Sequence, residues 1–398
     1  KPAFFMILRF TFFLLFIGAS SISYSQNITK DTFGKGIKVL AADSSFSLRF
    51  GARFQTLFTA ESITENQTID TKFMIRRSRL KFDGFIFSPK IKYKMEFGLS
   101  NRDISGSHAT TSDANRIILD AVLKWNFYKN FELWAGQTKL PGNRERVISS
   151  SKLQFVDRSL VNSKFNIDRD AGVQLRHHFS AGDFIIREVF SISNGEGRNF
   201  TADNIAGYDY TGRIEILPFG QFASKGDYFG SDLNRESKPK LAIGVSYDYN
   251  EGATRQRGQL GDYFDSAFAE RDLKTVFADL MFKYNGLSIM AEYANKTTSN
   301  PVVYLDELQT LKEGSFYTGS GTNLQMGYLF ENNVELGIRY TNVVPEAATG
   351  RNELNQYTVG ASKYVVGHSL KVQTDFTYVT EGTSPDELMF RLQFEMHL

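Results

Sequence analysis

Apolar and polar residues alternate along almost the whole chain, and this strict period of two restricts the possible fold more than any other feature. In the last segment every even position from Leu388 to Leu398 is apolar, whereas Arg391, Gln393 and Glu395 lie between them. A strand directs successive side chains to opposite faces, whereas a helix would scatter the same residues around its axis. The pattern therefore predicts extended strands, each with one apolar face. It recurs at residues 46–54, 91–99, 119–127, 241–249 and 370–378.

The spacing of these segments predicts an all-β fold, a transmembrane antiparallel β-barrel of about 16 strands. Short turns join one set of neighbours, and long connections join the other, which is the layout of outer-membrane barrels. The connection 217–239 breaks this alternation, so it is either an excursion from the short-turn rim or an error in the strand count. The predicted strands start near residues 46, 73, 90, 116, 131, 170, 183, 208, 240, 273, 286, 321, 333, 354, 368 and 386. The predicted long connections are 59–72, 101–115, 139–169, 194–207, 251–272, 297–320, 343–353 and 381–385.

The first 25 residues have the composition of a secretory signal peptide. An apolar stretch, Phe10–Ala19, follows basic residues, and Ser23-Tyr24-Ser25 supplies small residues where a signal peptidase cleaves. The alternative is an N-terminal membrane anchor. We predict a signal peptide over 1–25, a periplasmic lead-in over 26–45 and a barrel over 46–398. A soluble β-sandwich would also alternate, but it would not combine an export signal with two classes of connection.

The first three predicted strands carry an unusual density of cations. A charged side chain facing lipid costs roughly 2–4 kcal/mol at mid-depth, so these residues are expected to face the lumen. Basic side chains that line a pore favour anions. Asp83 and Glu96 are the only acids in this set, although Glu188, Glu292 and Asp375 are alternatives that could neutralise it. The predicted pore-lining, anion-binding residues are Arg49, Arg53, Arg77, Arg79, Lys81, Lys92 and Lys94.

The third long connection, 139–169, is too long to be an ordinary loop, because loops beyond about 15 residues are usually functional or disordered. Its apolar residues Leu153, Phe155 and Phe165 favour a loop folded into the barrel over an exposed flexible one. Such a loop would narrow the channel and bring cations and hydroxyl groups into the constriction. The predicted constriction residues are Lys139, Arg144, Arg146, Ser149, Ser150, Ser151 and Lys152.

Other classes of function have little support in the sequence. Cysteine is absent, which excludes thiolate metal sites, and the formal net charge of +2 does not suggest a nucleic-acid partner. His177 and His178 would point to opposite faces of a strand and could not chelate one metal. No histidine lies in a recognisable catalytic arrangement. We therefore predict no enzyme, no metal site and no cofactor.

Several short motifs resemble the phosphate-selective porin O and P family. They are Arg76-Arg77-Ser78-Arg79-Leu80 through Gly84, Leu119-Asp120-Ala121 with Ala135–Pro141, Arg144-Glu145 with the following serines, Phe155–Ser159, Arg169–Val173 and Gly212–Pro218. The resemblance implies a trimeric outer-membrane barrel of sixteen strands, in contact with lipid and lipopolysaccharide, whose third long loop constricts the pore. It also implies passage of anions, with phosphate as a substrate in some members. The abundant Asn, Lys and Phe and the Ser25-Gln26 junction are typical of a Bacteroidota-type bacterium.

Together these features predict an aqueous channel for passive diffusion of small anions, with phosphate and polyphosphate as candidates. One alternative is a largely closed outer-membrane barrel that serves as a structural or interaction partner in an envelope complex. Another is a secreted soluble binding protein, which would not need detergent for extraction.

Overall fold

The computed structural model describes residues 27–29, 33–63, 68–100, 103, 117–200 and 207–398, with the backbone alone for 27–29. The predicted signal peptide lies outside these residues. Sixteen antiparallel strands account for most of the described chain, as predicted. They are β1 Phe46–Ile63, β2 Ile69–Ile86, β3 Ser88–Gly98, β4 Ile118–Tyr128, β5 Phe131–Lys139, β6 Arg169–Ala181, β7 Phe184–Ser193, β8 Asp209–Leu217, β9 Lys240–Ala253, β10 Arg271–Tyr284, β11 Leu287–Thr297, β12 Gly319–Leu329, β13 Val334–Pro345, β14 Leu354–Val366, β15 Leu370–Glu381 and β16 Ser384–His397.

The strands form one closed barrel. Each strand pairs with the next along the chain, and β16 pairs with β1 through contacts such as Gln393 with Leu57. Closure satisfies the hydrogen-bonding groups of every strand and leaves no sheet edge, which is what a spanning sheet requires in lipid. The predicted fold class, an antiparallel barrel of about 16 strands, is confirmed.

The two rims of the barrel differ in their connections. At one rim most strands are joined by tight turns; Asn285 and Gly286, for example, both adopt positive φ between β10 and β11, which suits a two-residue hairpin. The predicted long joint at 59–72 is wrong, because β1 and β2 continue to pair as far as Ser62 and Ile69. The two strands thus extend into the predicted connection, and the segment that joins them is limited to residues 64–68.

Residues 218–239 join β8 to β9 at the short-turn rim. The strand count therefore does not slip at this position, and the segment is a true excursion. It contains 3-10 helical turns within Ala223–Tyr228, interrupted by a kink at Ser224 and Lys225. The other described helical turns are Arg144–Val147, Ser150–Lys152 and Leu160–Phe165 in the connection after β5, and Ala347–Thr349. None of the helices in the described ranges is long and apolar enough to cross a membrane.

The two faces of the sheet reverse the arrangement of a soluble protein. On β9 the outward side chains of Ile243, Val245 and Tyr247 are about half exposed, whereas the inward Ser246 and Asp248 are at most 1% exposed. The outward apolar surface would be costly in water and is stable against lipid. The alternation in the sequence thus marks which side chains face outward and which face the interior.

Two short strands lie within the predicted lead-in. Residues 27–29 pair with Ile37–Leu40, which in turn pairs with the first residues of β1, Ile37 opposite Phe50. Another short pair, Val302–Tyr304 with Lys312–Ser315, lies in the connection after β11.

Candidate functional site

All seven predicted pore-lining cations, here called the wall cations, lie on the inner face of β1, β2 and β3. The strand register aligns each of them with inward-facing residues of the neighbouring strand. A β-bulge in β2 adds another. Gln55 pairs with Arg77 but Thr56 pairs with Ile75, so Arg76 is the extra residue. Both Arg76 and Arg77 then reach the carboxylate of Asp157. Period-two alternation cannot place adjacent residues on one face, whereas a bulge can.

Acidic partners accompany most of these cations. The Arg53 Nη1 lies 3.4 Å from Glu395 Oε1, and the Lys94 Nζ lies 2.8 Å from both Glu96 and Asp120. The remaining pairs are Arg49 with Asp83, Lys81 with Asp83, Arg77 with Asp157, and Arg79 with Asp103 and Glu96. The wall is therefore a mixed network rather than a row of isolated cations.

Of the acids considered from the sequence, Asp83 and Glu96 pair with the wall cations, whereas Glu188, Glu292 and Asp375 have other partners. Glu188 alternates onto the outward face of β7, half exposed, with its carboxylate 2.8 Å from Nδ1 of His177. Glu292 accepts a hydrogen bond from the backbone N–H of Glu145, and Asp375 pairs with Arg391 on β16. The expectation that Glu188 faces inward is wrong, because the register of β7 with β8 puts Arg187 and Val189 inward instead.

The connection 140–168 packs against inner-face residues of the barrel through two apolar clusters. In the first, the fully buried Phe165 and Ile167 lie with Phe277 and Val343. In the second, Ile148 and Leu153 contact inner-face residues of β8 to β11, namely Leu217, Ala242, Met281 and Met290. These contacts bury apolar residues of the connection against the strand wall, on the side of β8 to β14.

Charged and polar contacts fix the same connection. The fully buried guanidinium of Arg144 donates to Asp279 at 2.7 Å and to Glu215 at 3.1 Å. The backbone N–H of Val156 donates to Asp375 at 3.2 Å, and Gln154 donates to Glu335 at 2.8 Å. The connection is thus tied to β8, β10, β13 and β15 by partners on four strands.

The predicted constriction residues have different surroundings. Arg144 faces the strand wall, and Lys139 Nζ donates to three backbone carbonyls, those of Arg146, Val147 and Ile148. Arg146 pairs with Asp168. Ser150 Oγ accepts a hydrogen bond from Arg53 at 2.9 Å.

The remaining three constriction residues lie around the turn Ser150–Lys152. Ser149 caps this turn, and its Oγ lies 3.1 Å from that of Ser151, which is buried. The Nζ of Lys152 lies 3.7 Å from the centre of the Phe229 ring, which belongs to the 218–239 segment.

A cavity of about 1140 Å³ lies between this connection and the wall of β2 to β8. Seventeen Arg and Lys residues line it against eight Asp and Glu. Asp227, Asp279 and Asp375 lie outside this lining but pair with Arg187, Arg213 and Arg391. The lining cations still outnumber the acids when these three are added, so the field in the cavity favours anions. Among its residues are Arg77, Arg79, Lys94, Lys139, Arg146 and Lys152 of the predicted set; Arg49, Arg53, Lys81, Lys92, Arg144 and Ser151 are not in its lining.

The sequence reasoning missed the cations on β4, β6 and β7. Lys124 Nζ and the Arg176 guanidinium both lie over the Trp134 ring, at 3.5 and 3.9 Å from its centre. Such contacts hold a cation in place without neutralising it. The sequence did contain a signal for Lys124, because it alternates with the outward residues Leu123 and Trp125. The same assignment of inward and outward residues, applied to β4 as well as to β1, β2 and β3, would have predicted that Lys124 faces the lumen.

Lys152 lies in the connection rather than in a strand and has an altered acidity. Burial, and then the nearby cations Lys81, Lys225 and Arg49, together lower the pKa of its ammonium to about 8. Both causes disfavour the charged form.

Within the described ranges no group of three or more His, Cys, Asp or Glu is placed to hold a metal ion.

Comparisons with known proteins agree with this architecture. The family described as phosphate-selective porin O and P matches residues 47–386. An uncharacterised protein of Aquifex aeolicus is 23% identical over 303 residues, which are 70% of this chain and 67% of that protein.

Two solved structures illustrate the likeness in fold. An anion-selective porin from Comamonas acidovorans superposes with a TM-score of 0.56 at 10% identity, over 89% of this chain and all of that one. A loop-deletion mutant of OmpT from Vibrio cholerae gives 0.55 at 11% identity over the same shares. At such identities the likeness concerns the fold alone. The match of the family to most of the chain shows more: the chain belongs to the phosphate-selective porin O and P family and is a porin of the bacterial outer membrane.

Proposed function

We propose that this porin is a channel for passive diffusion of small anionic solutes, with inorganic phosphate and polyphosphate as candidate substrates. The observation that carries the proposal is the excess of cations over acids in the lining of the cavity. A basic lining stabilises an anion along the path and raises a barrier to cations. No enzymatic activity is assigned, since the family is one of channels.

Arginine is the main cation of this lining, which supports phosphate as a substrate. A guanidinium presents a fork of donors that matches two oxygens of a phosphate, whereas an ammonium acts as a point charge. Arg76 and Arg77 bind the Asp157 carboxylate together, so the path already contains an arginine pair that holds an oxyanion.

We also propose that residues 139–152 belong to the constriction of this channel. The support is that this stretch is fixed to the wall through Arg144 while Arg146, Ser149, Ser150 and Lys152 line the cavity. A loop held by partners on several strands keeps a constant opening, which a freely moving loop would not.

We also propose a location for the N-terminal residues and an oligomeric state for the barrel. Short turns of outer-membrane barrels lie at the periplasmic rim. Since Ile37–Leu40 pairs with the start of β1 at that rim, we place the lead-in 26–45 in the periplasm, after a removed signal peptide 1–25. One similar structure, OmpT of Vibrio cholerae at a TM-score of 0.53, is described as a trimer, and a homotrimer in lipid and lipopolysaccharide is proposed here.

The test is the reversal potential of purified protein in a planar bilayer under a KCl gradient, followed by phosphate competing with chloride. We expect an anion-selective potential and a conductance that phosphate reduces. A variant with Lys124→Gln and Arg176→Gln should shift the potential toward cations. Lys274→Gln, on the outward face, is the matched control.

Two results would contradict the proposal. A preference for cations, or a double variant that behaves like the Lys274→Gln control, would show that the basic lining does not select the ion. The absence of conductance steps would instead favour a closed barrel that serves an envelope complex.

A further inference from the structure

The 218–239 segment does not extend away from the rim but turns into the barrel. Phe222 is 2% exposed and Asp227 is fully buried. The hydroxyl of Tyr228 donates to Glu215 on the inner face of β8 at 3.0 Å. A tight turn would suffice to join β8 and β9, so the 22 residues between them serve something other than connection.

One buried lysine holds the centre of this segment. Lys283, on the inner face of β10, is 1% exposed, and its ammonium donates to three backbone carbonyls. The acceptors are Gly226 at 2.8 Å, Phe229 at 2.9 Å and Ser231 at 2.6 Å. A buried ammonium is stable only when its donors are satisfied, and here all three are satisfied by the segment.

Further contacts fix the segment from its centre to Arg235. Asp227 pairs with Arg187 on β7. Asp232 accepts from the backbone N–H of Gly286 at 2.8 Å, and Arg235 donates to the carbonyl of Leu329 at 2.7 Å. The segment therefore has one position against the wall, which spans β7 to β12.

The segment also meets the connection 140–168 inside the barrel. The backbone N–H of Gly230 donates to the carbonyl of Lys152 at 2.8 Å, and Arg144 donates to the carbonyl of Asp227 at 3.2 Å. Five of its residues line the same cavity as that connection, namely Gln221, Ser224, Lys225, Tyr228 and Phe229. The connection 140–168 and the segment 218–239 start at opposite rims of the barrel, and both line the same path through it.

The backbone is strained where the segment reaches the path. Ser224 and Lys225 are consecutive residues with φ of 52° and 59°, in the left-handed region that side chains disfavour. Such strain persists only when the surroundings impose it, and it is common at functional positions.

The segment as a whole has no net charge, and Lys225 is its charged residue in the cavity lining. It carries three cations, Lys225, Arg235 and Lys238, and three acids, Asp227, Asp232 and Glu236. Its effect on a permeating ion is therefore mainly steric, whereas the charge preference comes from the rest of the lining.

We propose that residues 218–239 form a second constriction, reached from the short-turn rim, which sets the size limit of the channel. The inference rests on the proposed anion channel and assigns separate roles to two parts of it. The basic lining selects the sign of the ion, and this segment admits inorganic anions while it excludes larger organic phosphates.

The test replaces residues 220–239 by Asn-Gly, the two-residue turn that this chain uses at 285–286. In planar bilayers we expect the unit conductance to rise roughly twofold or more, because the narrow part of the path is removed. The permeability of glucose 6-phosphate relative to chloride should rise too, while the preference for chloride over potassium is retained. Unchanged conductance and continued exclusion of glucose 6-phosphate would overturn the inference.

A pair of point variants gives an independent test if the shortened chain does not fold. Lys283→Met removes the three hydrogen bonds to the segment and should raise conductance and admit glucose 6-phosphate. Lys296→Met is the matched control, since Lys296 is equally buried on the inner face of β11 but donates to the carbonyl of Arg257.

The outcomes separate the two proposals. If Lys283→Met conducts like the control, with both proteins folded by their migration in unheated gels, the second constriction is refuted. If the unmodified protein lacks anion preference while the shortened one conducts more, the proposed anion selectivity fails and the size limit stands.

Discussion

Lys152 is a residue of the channel lining whose charge responds to pH near neutrality. Its pKa of about 8 means that the ammonium is charged below pH 7 and is largely neutral above pH 9. Because the pKa in the folded protein lies below the ordinary value for lysine, the cation is lost from the path as pH rises through 8. We expect the permeability ratio of chloride to potassium to fall between pH 7 and 9, measured from reversal potentials.

Substitution at Lys152 tests whether this side chain is responsible. Lys152→Met should lower the ratio at pH 7 and remove its decline between pH 7 and 9. Lys152→Arg should keep the high ratio to pH 9, since a guanidinium stays protonated there. A decline that persists in Lys152→Met would assign the titration to another group.

Arg76 shows the limit of prediction at the scale of residues. Alternation placed Arg77, Arg79 and Lys81 on the inner face, and the strand register agrees. Strict alternation would put Arg76 outward, because a bulge depends on pairing with β1 and leaves no signature in the local sequence. Pairing also decides which acids meet these cations: Asp157 and Glu395 are distant in sequence from the arginines they contact.

Among the elements, the connection 140–168 depends on buried charges that act as a group. Arg144 and Arg213 share the carboxylates of Glu215 and Asp279, and all four side chains are at most 5% exposed. Buried ion pairs contribute little when complete, but removal of one partner leaves an uncompensated charge. The connection should therefore loosen when its cation is lost, even though the apolar clusters remain.

Arg144→Met tests this attachment. We expect the attachment of the connection to weaken by about 3 kcal/mol, because the connection loses its cation and Asp279 is left paired with Arg213, while Glu215 keeps Arg213 and Arg187. Trypsin should then cleave the native protein within 140–168, and single-channel current should become noisier. Lys164→Met, a cation of the same connection that lies beside the Tyr317 ring, is the control and should leave the connection protected. Equal cleavage of the two variants would contradict the anchoring role.

The elements themselves were predictable to different degrees. Strand positions followed from alternation, since each strand has a lipid-facing and a lumen-facing side and the pattern is local. The inward turn of residues 218–239 was not predictable, because it depends on Lys283, a residue more than 40 positions later in the chain. Its length alone marked it as unusual.

For the whole molecule, the decisive property is that the apolar side of every strand faces outward. The sequence could not separate this arrangement from a sandwich by alternation alone, because both have one apolar face per strand. The closed ring of pairings from β1 to β16 resolves it: an outward face such as that of Phe376, 65% exposed, has no second sheet to cover it. Lipid is the environment in which that surface is stable.

Neighbouring residues on β7 give the sharpest test of this orientation, because they lie at the same depth on opposite faces. Phe190 is outward and 49% exposed, whereas Val189 faces inward and lines the cavity. Phe190→Lys should destabilise the barrel by about 2–4 kcal/mol, measured by unfolding in lipid vesicles, because an ammonium in hydrocarbon loses its hydration. Val189→Lys places the same charge in water, and should cost much less and increase anion preference. Equal destabilisation by the two substitutions would mean that both faces of β7 meet the same environment, which is incompatible with a water-filled barrel in a membrane.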